Sequence, residues 1–168
     1  MIFKFLSKNF YISLSIVFLI YLLDRFSKIF IMQIDKNNFG SEIFNSAYLN
    51  ITLTWNKGIA FGLFSFNEEY LYNILTLIIT IIIIILVIMS LKSKSFKRYS
   101  LLMIVGGAVG NLHDRIFFNA VPDFIDFHIG NYHWFIFNVA DIFISLGVIF
   151  MIILEFICNN NKKNYEIS

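Results

Sequence analysis

Three aspartates, Asp123, Asp126 and Asp141, sit in the stretch VPDFIDFHIGNYHWFIFNVAD, and the last runs straight into the apolar segment IFISLGVIFMIILEFIC. A carboxyl in such surroundings is costly to ionise, because desolvation favours its neutral form. No basic residue lies within a helical turn of Asp141, so a charge there needs a partner from another element. Two carboxyls held close together do not both ionise readily; they share a proton and titrate as a pair. The ionised member takes a proton from a water that attacks a carbonyl. The protonated member donates to the carbonyl oxygen, and the pair later delivers the proton taken from water to the leaving nitrogen. That is the chemistry of an aspartic peptidase, and it needs no cofactor, no metal and no covalent intermediate. Asp141 paired with either Asp123 or Asp126 satisfies it.

Other chemistries have less to stand on. Ser145 follows Asp141 on the same segment, with no Lys or His in that segment to activate it. No H-E-x-x-H motif is present. His113, His128 and His133 are scattered, and the last two fall on a short connection where interfacial placement is the simpler reading. Cys158 is the single cysteine, so it has no internal disulfide partner.

The elements that position these groups are set by hydropathy. The 168 residues are 58% apolar and only 14% charged, with 21 Phe and one Pro. Soluble chains are about 45–50% apolar and about 25% charged. A spanning helix needs about 20 mostly apolar residues. Four segments qualify, at about 10–32, 71–91, 100–118 and 134–158, and they predict one all-α membrane domain built as a four-helix bundle. The N-terminal span, preceded by Lys4 and Lys8 but lacking a small-residue cleavage site, reads as an uncleaved signal-anchor. The second span carries no charge and is apolar all round, as a helix that meets lipid on most sides is. Between spans one and two, the loop 33–70 holds YLNITLTWN, whose alternating β-branched and aromatic residues predict a small extramembrane β element, followed by a turn at NKGIAFG.

Basic residues set the orientation. Lys4 and Lys8 precede the first span, Lys92, Lys94, Lys97 and Arg98 join the second to the third, and Lys162 and Lys163 follow the fourth. The loop 33–70 and the segment 119–133 are poor in Lys and Arg, so both termini are expected in the cytoplasm and those two segments outside. At a rise of about 1.5 Å per residue, Asp24 lies about 21 Å along the outward-running first span, and Asn111 and Asp114 about 16–21 Å along the third. Asn138 and Asp141 lie about 6–10 Å into the inward-running fourth. Three helices therefore bring their polar groups to one level near the outer face.

Spacing within each helix agrees with a shared pocket. Asp24 and Lys28 are four residues apart and face the same way. Asn111 stands three before Asp114 and four before Arg115, and Asn138 three before Asp141. Gly106 and Gly110 form a small-xxx-small pair suited to close helix approach. Asp24–Lys28 and Asp114–Arg115 are equally compatible with structural ion pairs that only fix the packing. A transporter or channel would need polar residues through the whole depth of the bundle, whereas the inner halves of the spans are almost wholly apolar. A non-catalytic scaffold subunit would tolerate replacement of the aspartates.

In LLDRFSK (22–28), TWNKGIAFG (54–62), GGAVGNLHDR (106–115), VPDFIDF (121–127) and FNVAD (137–141), the chain resembles the bacterial lipoprotein signal peptidases, the signal peptidase II family. Each motif is short; the five in order cover nearly the whole chain. The resemblance implies a membrane aspartic endopeptidase with Asp123 and Asp141 as its catalytic pair, and makes Asp126 a neighbour. It further implies that Asp24, Lys28, Asn56, Gly58, Asn111, Arg115 and Asn138 shape the pocket or hold substrate, with Asp114 supporting Arg115. His113 falls at a variable position. The implied substrate is a prolipoprotein whose cysteine already carries diacylglycerol, cut just before that cysteine at the level of the membrane surface. Membrane lipid is then the only other partner expected; no nucleic acid and no second subunit is called for. The loop 33–70 is expected to clamp substrate over the pair, with Asn56 reaching in.

Overall fold

The computed structural model describes residues 8–38, 42–58 and 69–167. Lys4 and the expected turn beyond Gly58 lie outside the described residues, as do the side chains of Cys158, Lys162 and Lys163. The order of elements is α1 (Lys8–Asn37), β1 (Phe44–Asn45), β2 (Leu49–Asn56), α2 (Glu69–Lys92), α3 (Ser95–Phe118), β3 (Val121–Ile129), β4 (Tyr132–Phe137) and α4 (Val139–Ile167).

Helix α3 is the centre of the bundle and packs against α1, α2 and α4. Its small residues are what allow this. A Cβ on Gly106 would fall 2.9 Å from the Ile20 side chain, and one on Gly110 2.5 Å from an Asp24 carboxylate oxygen. A Cβ on Gly107 would collide with the Ala140 carbonyl of α4. Without these glycines neither α1 nor α4 reaches the α3 backbone. Helices α1 and α3 run the same way: Arg98 donates to the Asn9 carbonyl at their starts, 2.9 Å, and Lys28 to Asn111 towards their ends, 2.7 Å.

Helix α2 lies on the outside. Tyr72, Leu75, Ile83 and Ser90 are its buried residues, and most of its isoleucines are exposed. Helices α2, α3 and residues 139–157 of α4 are long and apolar enough to cross a membrane. Helix α1 spans 30 residues and carries Asp24, Arg25 and Lys28 in its second half.

The β structure is larger than the sequence predicts. Four antiparallel strands in the order β1-β2-β3-β4 form one sheet at the end of the bundle where α3 stops and α4 begins. β1 and β2 come from the 33–70 segment as expected, but β3 and β4 occupy the connection between α3 and α4. Span four was expected to start at about Trp134; instead Tyr132–Phe137 is a strand, and the helix starts at Val139. YHWFIF is apolar enough to extend a span, yet its aromatic residues suit a strand paired to β3. The turn itself is the local signal: Gly130-Asn131 is a two-residue hairpin connection with Gly130 at φ +59°, joining the paired Ile129 and Tyr132. α3 ends with Asn119 in the left-handed conformation, which releases the chain into β3.

Candidate active site

The first turn of α4 is organised by two residues of FNVAD. Asn138 is the residue preceding the helix, and its Oδ1 accepts from the Asp141 backbone N–H at 3.2 Å. Asp141 Oδ2 accepts in return from the Asn138 N–H at 3.1 Å. This reciprocal arrangement is a capping box, with an Asn and an Asp in the two roles. It uses one oxygen of Asp141, and Asn111 Nδ2 of α3 donates to the other at 2.8 Å.

Asp123 arrives from β3, next to β2. Asn56, the last residue of β2, donates from Nδ2 to Asp123 Oδ2 at 2.9 Å, and its own Oδ1 accepts from the Gly58 N–H at 2.8 Å. Asn138, fully buried, donates from Nδ2 to Asp123 Oδ1 at 2.6 Å. One asparagine amide thus holds both aspartates: its oxygen fixes the turn that carries Asp141, and its nitrogen holds Asp123. Burial, and after it the nearby Asp141 carboxyl, push the Asp123 carboxyl up to about 7, against the hydrogen bonds from Asn56 and Asn138.

Behind Asp141 lies a buried group of charges. Lys28 Nζ donates to Asp24 Oδ1 at 2.9 Å, to Asp114 Oδ2 at 2.6 Å and to Asn111 Oδ1 at 2.7 Å, so all three of its protons are committed. Asn111 therefore links Lys28 to Asp141, oxygen to the cation and nitrogen to the carboxyl. Asp24 Oδ1 also accepts from the Ala140 N–H in the first turn of α4, 3.1 Å.

The partner of Asp114 departs from the sequence reading. Asp114 does not support Arg115; it accepts from Arg25 and Lys28. Neighbouring residues on a helix point about 100° apart, so they do not meet on one face. The Arg115 guanidinium instead donates to the Gly58 carbonyl and lies over the Tyr72 ring, 5.7 Å from its centre. Arg25, unassigned from sequence, turns out to be a full member of the charge group. It donates to Asp24 at 2.8 Å, to both oxygens of Asp114, and to the Gly110 carbonyl at 3.3 Å. Its sequence signal was its place beside Asp24 inside an apolar span, where an ionisable residue points to a partner.

Asp126 is elsewhere. Three positions along a strand is an odd step, which reverses the face, and its Oδ2 pairs with His133 Nδ1 at 2.8 Å. His133 stacks on His128, 5.0 Å between centres, and the His128 ring in turn meets Asn50 Oδ1 at 3.1 Å. His113 sits on α3 against Tyr21 and Phe117.

Asp123 and Asp141 open on one cavity of about 500 Å³. Its polar lining is these two with Asn56, Asn111 and Arg115; Ile79, Ala108, Val121, Ile144, Val148 and Ile149 form its apolar lining. Ser145 also reaches it, but no Lys or His stands among the lining residues. The chemistry the cavity holds is that of two carboxyls, one of them buried enough to carry a proton near neutral pH.

Comparison with known proteins gives the same direction. The family model for signal peptidase II matches residues 16–157. The chain is 46% identical to the lipoprotein signal peptidase of Pelagibacter ubique over 157 residues, covering 94% of this chain and 95% of that protein. The lipoprotein signal peptidase of Anaplasma phagocytophilum is 41% identical, with 86% and 91% covered. A bacterial membrane enzyme solved by the in meso method at 2.3 Å superposes with a TM-score of 0.73 at 31% identity, covering 89% of this chain and 90% of that one. A second such enzyme, solved at 1.9 Å, gives 0.69 at 32% identity, with 84% and 90% covered. The chain belongs to the signal peptidase II family of aspartic-type membrane peptidases.

Proposed function

We propose that Asp123 and Asp141 are the catalytic pair, and that the chain removes the signal peptide from diacylglyceryl-modified prolipoproteins by cutting before the lipidated cysteine. The observation that carries the pairing is Asn138, whose side-chain amide donates to the Asp123 carboxyl and whose backbone N–H donates to the Asp141 carboxyl, beside a cavity lined by both aspartates and by apolar side chains. Asp123, pushed up to about 7, is the proton donor to the scissile carbonyl. Asp141 is the base that takes a proton from the attacking water. When the tetrahedral intermediate collapses, Asp141 passes the proton it took from water to the leaving nitrogen, Asp123 recovers its proton from the hydroxyl that becomes the new carbonyl, and the pair returns to its starting state.

The apolar wall of α2 and α4 residues receives the apolar signal segment or the lipid, and Arg115 and Asn56 belong to the polar lining. All four helices span the membrane, α1 included; its charged residues are paired inside the bundle rather than exposed to lipid. The Lys- and Arg-rich connection between α2 and α3 supports a cytoplasmic position for that end of the bundle and for both termini. The sheet and the cavity then lie at the outer surface, where a diacylglyceryl group holds the bond to be cut and where water is available. The unit acts as a single domain and a monomer.

The test is incubation of the purified protein with a diacylglyceryl-modified prolipoprotein, alongside Asp123→Asn and Asp141→Asn. Wild type is expected to release the signal peptide, and both variants are expected to be inactive. Cleavage surviving in either variant removes the pair; no cleavage by wild type removes the substrate.

A further inference from the structure

Arg25 has no part in the chemistry just described, yet it is 7% exposed and sits in the middle of an apolar span. Its fork grips both oxygens of Asp114 on α3 and one of Asp24 on α1. With Lys28 it makes a closed set of two carboxylates and two cations, neutral as a whole. Two contacts lead out of that set to the active-site turn: Lys28 to Asn111, whose other end holds Asp141, and Asp24 to the Ala140 N–H.

Take the guanidinium away and the set changes in two ways. Asp24 Oδ2 and Asp114 Oδ1 lose the donors they have, and Lys28 alone faces two carboxylates. One net negative charge then stands one amide away from Asp141, and the third proton of Lys28 is drawn from Asn111 towards the freed oxygens. An uncompensated charge in such surroundings is felt strongly. We propose that Arg25 is a positioning residue for the peptidase reaction: by balancing Asp24 and Asp114 it leaves Lys28 to hold Asn111, and so fixes the orientation and charge state in which Asp141 works. This rests on the Asp123–Asp141 reading above.

Among the described residues, the ionisable groups around Asp141 are few. Helix α1 contributes Asp24, Arg25 and Lys28, α3 contributes Asp114 and Arg115, β3 contributes Asp123, and α2 contributes Tyr72 beyond Arg115. Of these, Arg115 donates to the Gly58 carbonyl. Besides Asp123, the α1–α3 group is the one joined to Asp141 and its turn, through Asn111 and the Ala140 N–H.

The experiment compares Arg25→Met, Arg25→Lys and the double variant Arg25→Met/Asp114→Asn, measuring kcat and KM against pH with a diacylglyceryl-modified prolipoprotein. Arg25→Met is expected to lose about tenfold to a hundredfold in kcat with KM little changed, as a misplaced catalytic group does. The acid limb of its kcat profile should move up by about half to one pH unit, the direction set by an added negative charge. Arg25→Lys keeps the charge and loses the fork, so the limb should stay in place while kcat falls less. The double variant is again neutral, with Lys28 facing one carboxylate, and its acid limb should return towards wild type. Packing damage alone would not restore the limb on a second substitution. A wild-type profile in Arg25→Met, or a double variant no closer to wild type than the single one, overturns the proposal. If Arg25→Met does not accumulate, the limb positions of the other two variants decide it. Asp141→Asn is run in parallel: turnover there would remove the catalytic pair itself, whereas an inactive Asp141→Asn with an unmoved Arg25→Met removes only the role of Arg25.

Discussion

Asp123 and Asp126 stand three residues apart on one strand and are buried to nearly the same degree, 3% and 7% exposed. Their surroundings are opposite. Asp123 meets two asparagine amides and, beyond them, a second aspartate, and its carboxyl is pushed up to about 7. Asp126 meets a histidine on the neighbouring strand. Equal burial thus leaves the two carboxyls with different partners. The face of the strand decides which neighbours are met, and at Asp123 burial and, after it, the nearby Asp141 carboxyl act together.

Exchange of each aspartate for asparagine tests this contrast most severely. Asp123→Asn is expected to lose on the order of a thousandfold or more in turnover, the scale of general acid–base catalysis. Asp126→Asn should stay within about threefold of wild type, the range of a change away from the reacting atoms. Comparable losses in the two variants would erase the distinction between the faces of β3. Asn56→Ala sharpens it, because it removes one of the two amides on Asp123 and leaves both aspartates. A lost hydrogen bond of about 1–1.5 kcal/mol corresponds to about a tenfold drop in turnover, with membrane insertion unchanged. Wild-type turnover in Asn56→Ala would show that the amide only fills space.

The contrast should also appear in stability. The Asp123 carboxyl is raised in the folded chain above its ordinary 3.8, to about 7. Between those values the folded state binds more protons than the unfolded one, so stability is complete below about 4 and is lost as pH rises towards 7. The full shift would amount to about 4 kcal/mol at about 1.4 kcal/mol per unit. Asp123→Asn has no such loss. Its Tm relative to wild type should therefore be several degrees higher at pH 8 than at pH 5, read by thermal denaturation in detergent. A difference that does not change with pH would mean that Asp123 ionises without cost.

Which parts of this arrangement could be read in the sequence follows from the range of the interactions involved. Depth arithmetic put Asp24, Asn111, Asp114, Asn138 and Asp141 at one level, and the structure brings them into one connected group. The i,i+4 pair Asp24–Lys28 needed only helix geometry. The choice between Asp123 and Asp126 was not available from spacing, because it depends on which face of β3 meets α4. The strand itself was hidden: an apolar aromatic run before α4 is as good a start to a span as it is a strand, and only Gly130-Asn131 marks the turn. Arg25 and the true partner of Asp114 were missed for the same reason. Adjacent charges invite a local pairing, whereas the pairing found here crosses between α1 and α3 and depends on Gly110 having no side chain.

The smallest effect is expected on the Asp126 side. His133 is 53% exposed at its side chain, so its pair with Asp126 is well screened by solvent. Pairs of this kind contribute about 0–1 kcal/mol. His133→Ala should accordingly lower Tm by no more than a few degrees and leave kcat and KM as they are. The neighbouring His128 ring would lose its stacking partner but keep its contact to Asn50 on β2. Because β3 carries both aspartates, the same variant asks whether the two faces of that strand are energetically separate. If kcat falls in His133→Ala while the protein remains folded, a disturbance at Asp126 is reaching Asp123 along the strand, and the two carboxyls belong to one unit after all.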